Sequence, residues 1–379
     1  MRSFHADWRT SRRQFLAVCT VGAAASYANL GFSADATTDL AKMREKAINY
    51  LRTSQAEDGS WTTKNFPGLT GLVVTGALEN GVKVDDPMVQ KALTHLLTHV
   101  QPDGGIYFVK SNFRNYETCI IIVALKTANA DGKYTDVIAN ADKFVRKQQW
   151  DEEENKEKTD AYYGGAGYGG TSRPDMSNTH YLVEALRAAG AKADDPALQK
   201  ALVFISRSQN LESDKNDTPI SAKFNDGGFY YTPAGGGSSA AGKEANGGLR
   251  SYGSMTYAGL KSLLYAGVDK NDQRVKAAYT WIQKHYTVAE NPGLDQEGLY
   301  YYLHLFAKAL DAMEVAEVED KTGAKHDWRG DLIAYLKKAQ RENGSWVNDE
   351  RKWNEGDPSL STAFALLALS HCDAKPAKK

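Results

Sequence analysis

The segment Gln-x-x-x-Gly-x-Trp occurs twice in this chain, at 55–61 and at 340–346. Each copy follows a stretch of amphipathic sequence that ends in Gln, and less regular copies lie between the two. Such recurrence is typical of repeat proteins, in which each unit buries its apolar face against its neighbours. This feature therefore predicts a fold built from stacked units.

Two kinds of helix are predicted to alternate along the chain. The first kind has apolar residues at helical spacing on one face and charges on the other, which is typical of an outer helix; it is predicted at 40–55, 87–101, 134–149, 196–209, 273–285 and 331–340. The second kind is apolar nearly all round, which indicates burial on both sides; it is predicted at 71–78, 116–127, 177–189, 252–265, 298–310 and 359–369. Six such pairs predict an all-α fold, an α/α toroid with an inner and an outer ring in a single domain.

The repeated segment itself predicts a structural role. Gln at the end of a helix can bond free carbonyls or the start of a neighbouring unit, Gly permits a left-handed turn, and the aromatic residue can pack back over the junction. The residues assigned to these roles are Gln55, Gly59, Trp61, Gln101, Gly105, Tyr107, Gln340, Gly344 and Trp346.

The first 36 residues are expected to lie outside the toroid, which is assigned to 37–379. Arg12-Arg13 precedes a short apolar run at 16–25, and small residues follow at 34–36. This pattern resembles a bacterial twin-arginine export signal and predicts a periplasmic or extracellular protein. An uncleaved N-terminal anchor is the alternative. The repeat region contains no apolar stretch of about 18 to 20 residues, so no stable membrane span is expected there.

Composition narrows the function classes further. The formal net charge of −1 disfavours nucleic-acid binding, which requires a basic surface. Cleavage after residue 36 would leave Cys119 and Cys372 as the thiols, too few for a disulfide framework in a chain of this size. The sequence makes no prediction about the oligomeric state.

The repeat resembles that of squalene cyclases and of the β subunits of protein prenyltransferases, over about residues 39–371. The resemblance implies an α/α toroid with an apolar central cavity that accepts isoprenoid chains. Squalene cyclases protonate an alkene with an Asp-x-Asp-Asp motif, and this chain has none. Its nearest matches, at 83–86 and 192–195, stand where they would cap outer helices. Ordinary cyclisation of squalene is therefore disfavoured.

The prenyltransferase resemblance implies a possible zinc site formed by Glu117, Cys119 and His180. These residues would also be the candidate catalytic groups, because three ligands leave zinc an open position. The match is incomplete, since Glu117 stands for the family's Asp and Asn178 aligns better than His180 with the family's His. The alternative is that all three are buried structural residues.

Further residues are predicted to bind the substrate. Aromatic residues on inner helices would shape the cavity, and two arginines beside glycine-rich loops would meet a diphosphate or carboxylate; the set is Tyr116, Tyr252, Tyr257, Tyr301, His304, Arg173 and Arg250. Consecutive helix positions differ by about 100°, so Tyr300, Tyr301 and Tyr302 cannot all face a cavity.

Three functions remain open from sequence. The first is an exported terpenoid cyclase-like or prenyltransferase-like enzyme, zinc-dependent in one version, with a hydrophobic isoprenoid-like substrate. The second is a lipid carrier that uses the same cavity without chemistry. The third is a protein-interaction toroid.

Overall fold

The computed structural model describes residues 34–373, and the N-terminal sequence up to residue 33 lies outside the described residues. Thirteen α-helices occur in the described part of the chain. They are α1 (Ala34–Ser54), α2 (Pro67–Glu79), α3 (Pro87–Leu97), α4 (Arg114–Thr127), α5 (Thr135–Arg146), α6 (Met176–Ala189), α7 (Pro196–Arg207), α8 (Ser221–Phe224), α9 (Gly253–Tyr265), α10 (Gln273–Lys284), α11 (Leu299–Met313), α12 (Trp328–Ala339) and α13 (Pro358–Leu369). The strands β1 (Val318–Glu319) and β2 (Lys325–His326) form one short antiparallel hairpin.

Six helices form a closed inner ring. Helix α2 packs on α4, and contact then passes in order through α6, α9, α11 and α13, which returns to α2. The outer helices α1, α3, α5, α7, α10 and α12 alternate with them in sequence, and α1 contacts α12. The predicted all-α toroid of six helix pairs is confirmed.

The two rings differ in burial as their sequences predict. In α13 every residue from Ser361 to Leu369 is buried, because the helix packs against α2, α11 and its outer neighbours. In α5 the buried residues are Ile138, Ala141, Phe144 and Val145, which lie on one face. The apolar core therefore lies between the rings and within the inner ring.

Aspartates start several outer helices, as predicted for the two acidic pairs. Asp86 and Asp195 accept hydrogen bonds from the backbone N–H of Met88 and Ala197, and a proline follows each of them. These carboxylates satisfy N–H groups that a helix leaves free at its first turn. Their placement explains the acidic pairs without a catalytic role.

Glutamine side chains join successive units. The Nε2 atom of Gln55 donates to Gly59 O (3.1 Å) and to Met88 O in the first turn of the next outer helix (2.9 Å). The same pair of bonds recurs at Gln149, Gln209 and Gln340, whose distant acceptors are the carbonyls of Ala197, Arg274 and Met43. The Trp61 indole donates to Leu51 O, and the Trp346 indole donates to Leu336 O. The glutamine is thus a bridge between units.

The less regular copy at 101–107 departs from the prediction by one residue. Gly104 has the left-handed φ of +90°, as Gly59 and Gly344 do at +92° and +90°, whereas Gly105 does not. Gln101 correspondingly donates within its own segment, to His99 O and Tyr107 O, and does not reach the next outer helix. The backbone register therefore assigns the bridging position in this copy to Val100, whose side chain cannot form the bridge.

Within residues 34–373, none of the helices combines the length and apolar character needed to cross a bilayer.

Candidate functional site

A cavity of about 1470 Å³ opens at one end of the inner ring. It lies at the N-terminal ends of the inner helices, each of which contributes to its wall. The contributing side chains include Leu69 and Leu72 from α2, Tyr116 from α4, Ser177 from α6, Met255 from α9, Tyr301 from α11 and Phe364 from α13. All six units therefore meet at this one site.

The wall of the cavity is rich in aromatic side chains. Phe113 lies edge-on to Phe66 and to Tyr168, with ring centroids 6.0 and 5.1 Å apart. Edge-on and tilted arrangements are those that aromatic rings prefer. The full aromatic set is Phe66, Phe108, Phe113, Tyr116, Tyr168, Tyr231, Tyr252, Tyr301, Trp353 and Phe364. Such a wall suits a long apolar ligand.

Four of the predicted substrate-binding residues line this cavity, namely Tyr116, Tyr252, Tyr301 and Arg173. Tyr301 is the one of three consecutive tyrosines that reaches it, in agreement with the helical geometry.

The other three predicted substrate-binding residues are not among the lining residues. Tyr257 is buried against Tyr302 and Phe306. His304 stacks on Phe364, with ring centroids 5.9 Å apart. Arg250 pairs with Glu244 at an exposed position. The structure thus offers these three side chains no direct contact with a ligand in the cavity.

Basic residues stand at the mouth. Lys110, Arg173 and Arg351 line the cavity, together with the acidic residues Glu355 and Asp357. Both oxygens of Glu355 are occupied, since they accept from the backbone N–H groups of Tyr300 and Tyr301 at the start of α11. Asp357 likewise caps α13. These two carboxylates bind the helix starts, and the three basic side chains are the remaining charged groups of the lining.

The three predicted zinc ligands do not form one group. No cluster of three or more His, Cys, Asp or Glu side chains that could hold a metal ion occurs among residues 34–373. Cys119 is fully buried, its Sγ atom donates to Asn115 Oδ1 (3.4 Å), and burial raises the pKa of its thiol. The zinc site remains a prediction, for which the observed contacts provide no assembled ligand set.

Glu117 instead forms hydrogen bonds with the loop that precedes its own helix, α4. Its two carboxylate oxygens accept from Ser111 Oγ (2.9 Å) and from the backbone N–H of Phe108 (3.0 Å). Burial raises the pKa of Glu117 to about 7, against the lowering effect of these two bonds. Phe108 and Ser111 both line the cavity, so Glu117 supports its wall from behind.

His180 belongs to a polar row that leads away from the cavity into the ring. Its Nε2 atom lies 2.5 Å from the Tyr301 hydroxyl, and its Nδ1 atom lies 3.1 Å from Lys261 Nζ. Lys261 in turn donates to Glu184 Oε2 (2.7 Å), and the other oxygen of Glu184 pairs with Lys308. We call Tyr301, His180, Lys261, Glu184 and Lys308 the axial row.

Below Tyr301, which lines the cavity, the members of the axial row are buried. Lys261 is fully buried and its pKa is lowered to about 8 because burial outweighs the attraction of Glu184. Burial alone would raise the pKa of Glu184, but the two ammonium groups hold it well below its usual value. Burial, reinforced by the neighbouring Lys261 ammonium, lowers the pKa of His180 well below its usual value. His180 is therefore neutral beside a buried ion pair.

Sequence reasoning missed Lys261, Glu184 and Lys308. A signal was present, because each is a charged residue in an inner helix whose neighbours are mostly apolar. Charged residues are rarely buried unless they are paired, so these positions could have been singled out. Their pairing partners could not, because the three helices are far apart in sequence.

Comparison with known proteins supports the same fold. Residues 69–232 match the family model of the squalene-hopene cyclase C-terminal domain. The resemblance to the squalene cyclase repeat family is thereby confirmed for that part of the chain. No curated protein matches the chain.

Solved structures show how widely this fold is shared. A protein from Actinoplanes is 13% identical with a TM-score of 0.52, over 88% of this chain and 99% of its own. An α-amylase from Clostridium perfringens is 12% identical with a TM-score of 0.54, over 87% and 97%. A type II terpene cyclase from Scytonema, solved with geranylgeranyl dihydroxybenzoate as substrate, is 15% identical over 89% and 98%, with a TM-score of 0.33. At these identities the likeness concerns the fold alone, and the last TM-score is too low to support an argument.

Proposed function

We propose that this protein binds a hydrophobic, isoprenoid-like small molecule in the cavity at the end of its inner ring. The observation that carries the proposal is the aromatic wall, to which all six inner helices contribute. At about 1470 Å³ the cavity exceeds the roughly 300–1,000 Å³ of ordinary ligand pockets, so a long chain has room. The match to the squalene-hopene cyclase C-terminal domain favours the same class of ligand.

We also propose that the protein acts outside the cytoplasm. The paired arginines at Arg12 and Arg13 and the apolar run that follows support twin-arginine export. Replacing both arginines by lysine is expected to retain the protein in the cytoplasm of an exporting host, as measured by cell fractionation. Secretion of the doubly substituted chain at the normal level would contradict this proposal.

Native mass spectrometry of folded, exported protein tests the ligand directly. Expected is a bound species whose extracted mass corresponds to an apolar chain, and the same spectrum reports whether zinc is present. Delipidated protein should then bind geranylgeraniol. Absence of both a co-purified lipid and geranylgeraniol binding would refute the cavity function.

A cavity-filling variant localises the binding. Leu360→Trp places a large ring at a lining position and is expected to lower the affinity for geranylgeraniol at least tenfold. Val100→Trp adds the same ring at an exposed position that is not among the lining residues and should leave binding unchanged. Equal effects of the two variants would place the ligand elsewhere.

The enzyme and carrier versions of the proposal differ in what happens to the bound molecule. A carrier releases geranylgeraniol with its mass and chromatographic behaviour unchanged, whereas an enzyme of this class rearranges or transfers it. Extraction after incubation, followed by gas chromatography and mass spectrometry, separates the two versions.

A further inference from the structure

The axial row fixes the direction of the hydrogen bonds at the floor of the cavity. As an ammonium group, Lys261 has only protons to donate, and Nδ1 of neutral His180 must therefore accept. The single ring proton of His180 is then on Nε2, where it is donated to the hydroxyl oxygen of Tyr301 at 2.5 Å. The Tyr301 oxygen thus accepts from below, and its own proton is free to point elsewhere.

Ser177 is the other hydroxyl at this floor. Its Oγ atom lies 3.2 Å from the Tyr301 hydroxyl, and both side chains line the cavity. The two groups carry two protons, and one of these is used in the bond between them. One O–H proton remains for the cavity, whichever of the two donates to the other.

The axial row behind this floor carries a net positive charge. Glu184 carries one negative charge, while Lys261 and Lys308 carry two positive charges, all at buried positions. The next acidic neighbour of Lys308 is Glu79, at the last residue of α2 and so at the end of the ring opposite to the cavity. Interactions between charges are strong in a buried environment, so the excess charge of the axial row favours an anion at the floor. The carboxylates of Asp175 and Glu355 oppose this effect, but both accept from backbone N–H groups at the starts of α6 and α11, whose helix dipoles offset their charge.

We infer that the floor formed by Ser177 and Tyr301 binds the carboxylate end of a chain-like ligand, which enters the cavity with its polar end first. This inference rests on the proposed apolar-ligand function. One hydroxyl proton is donated to a carboxylate oxygen, and the net charge of the axial row stabilises the anion. The remainder of the chain lies against the aromatic wall. His180 and Lys261 are positioning residues, since they orient Tyr301 without contacting the ligand.

Three probes of equal chain length test the inference. Geranylgeranoic acid, geranylgeraniol and the corresponding C20 hydrocarbon are titrated into delipidated full-length mature protein at pH 7, with binding followed by displacement of a fluorescent apolar dye. We expect the acid to bind at least tenfold more tightly than the hydrocarbon, with the alcohol between them. Equal affinity for acid and hydrocarbon would overturn the inference and leave the apolar-ligand function standing. Failure of all three probes to bind would refute both.

Variants of the floor locate the preference. Tyr301→Phe keeps the ring and removes the hydroxyl, so acid affinity should fall about tenfold while hydrocarbon affinity changes less than twofold. Tyr335→Phe is the matched control, because Tyr335 lies in the outer helix α12 and is not among the lining residues; it should preserve the preference. Thermal unfolding confirms that both variants fold.

The opposite orientation predicts a different pattern. If the acid group sat at the mouth, Arg173→Ala and Arg351→Ala would abolish the preference for the acid and Tyr301→Phe would not. That result would overturn the inference.

A conservative variant of His180 distinguishes a role in orienting Tyr301 from a purely structural role. His180→Gln retains an N–H donor and should keep most of the acid preference, whereas His180→Leu should lose it at similar thermal stability. Equal acid preference in the two variants would remove His180 from the proposal.

Discussion

The junctions between units and the axial row both bury polar groups, but they do so in opposite ways. At the junctions one residue type repeats the same task, since Gln55, Gln149, Gln209 and Gln340 each bond a turn of their own unit and the next outer helix. The axial row occurs once, and its members come from α6, α9 and α11. Repeated polar contacts therefore mark the construction of the ring, while unrepeated ones mark a place where three neighbouring units differ from the others.

Substitution of a polar residue should lower the free energy of unfolding more in the axial row than at the junctions. Glu184→Gln leaves two buried ammonium groups without a counter-charge and should lower the free energy of unfolding by about 3–5 kcal/mol. Chemical denaturation at pH 7 measures this loss. Glu244→Gln removes the partner of Arg250 in an exposed pair and should cost less than about 1 kcal/mol. Equal losses would show that the two buried ammonium groups do not depend on Glu184 as their counter-charge.

Replacement of a junction glycine is expected to cause the next largest loss of stability. Gly59 has a φ of +92°, and a Cβ atom there would lie 2.4 Å from Lys91 O, so Gly59→Ala should cost about 3 kcal/mol through backbone strain and a clash with the next outer helix. Gly81 has a φ of +88° with no atom within 4 Å of such a Cβ, and Gly81→Ala should cost about 1 kcal/mol from backbone strain alone. Similar losses in thermal unfolding would show that the junction tolerates displacement.

The bridging glutamine should have a smaller effect. Gln209→Leu removes two hydrogen bonds to carbonyls at a buried junction and should cost about 2 kcal/mol. Gln101→Leu should cost about 1 kcal/mol or less, because Gln101 bonds only its own segment and is partly exposed. Urea denaturation compares the two variants. A larger loss at Gln101 would contradict the difference in register between the copies.

The smallest expected effect concerns pH. Burial raises the pKa of Glu117 to about 7, above its usual value of 4.5. Between these pH values the folded chain holds a proton that the unfolded chain has released, so stability falls as pH rises through this window. Glu117→Gln cannot titrate, and the decline between pH 5.5 and pH 7 should be smaller than in the wild type by about 1–2 kcal/mol. Identical pH profiles would show that Glu117 titrates normally.

Much of the fold was predictable because its causes are local. Helical periodicity distinguishes outer from inner helices, and Asp86-Pro87 indicates a helix start without reference to any other part of the chain. The cavity residues Tyr116, Tyr252 and Tyr301 were also predictable, since aromatic residues near the starts of inner helices converge once the ring is assumed.

The rest of the site was not predictable, because it depends on distances between helices. His180 and Tyr301 are 121 residues apart, and Lys261 and His180 are 81 residues apart. Periodicity shows that each side chain lies in an inner helix but not which neighbour it meets. The same limit applies to Gln101, whose difference from Gln55 is a single step in backbone register that composition does not reveal.

The closure of the ring separates the order of helices along the chain from their order in space. Gln340 bonds Met43 across 297 residues, and Arg44 pairs with Asp373 across 329 residues. The first and last described helices are therefore neighbours, and a chain cut at another junction and rejoined here would keep the same contacts between units. Circular permutation should thus be tolerated. During synthesis, however, the first unit must wait for the last one before its exposed apolar face is covered, so completion of the ring is necessarily a late event in folding.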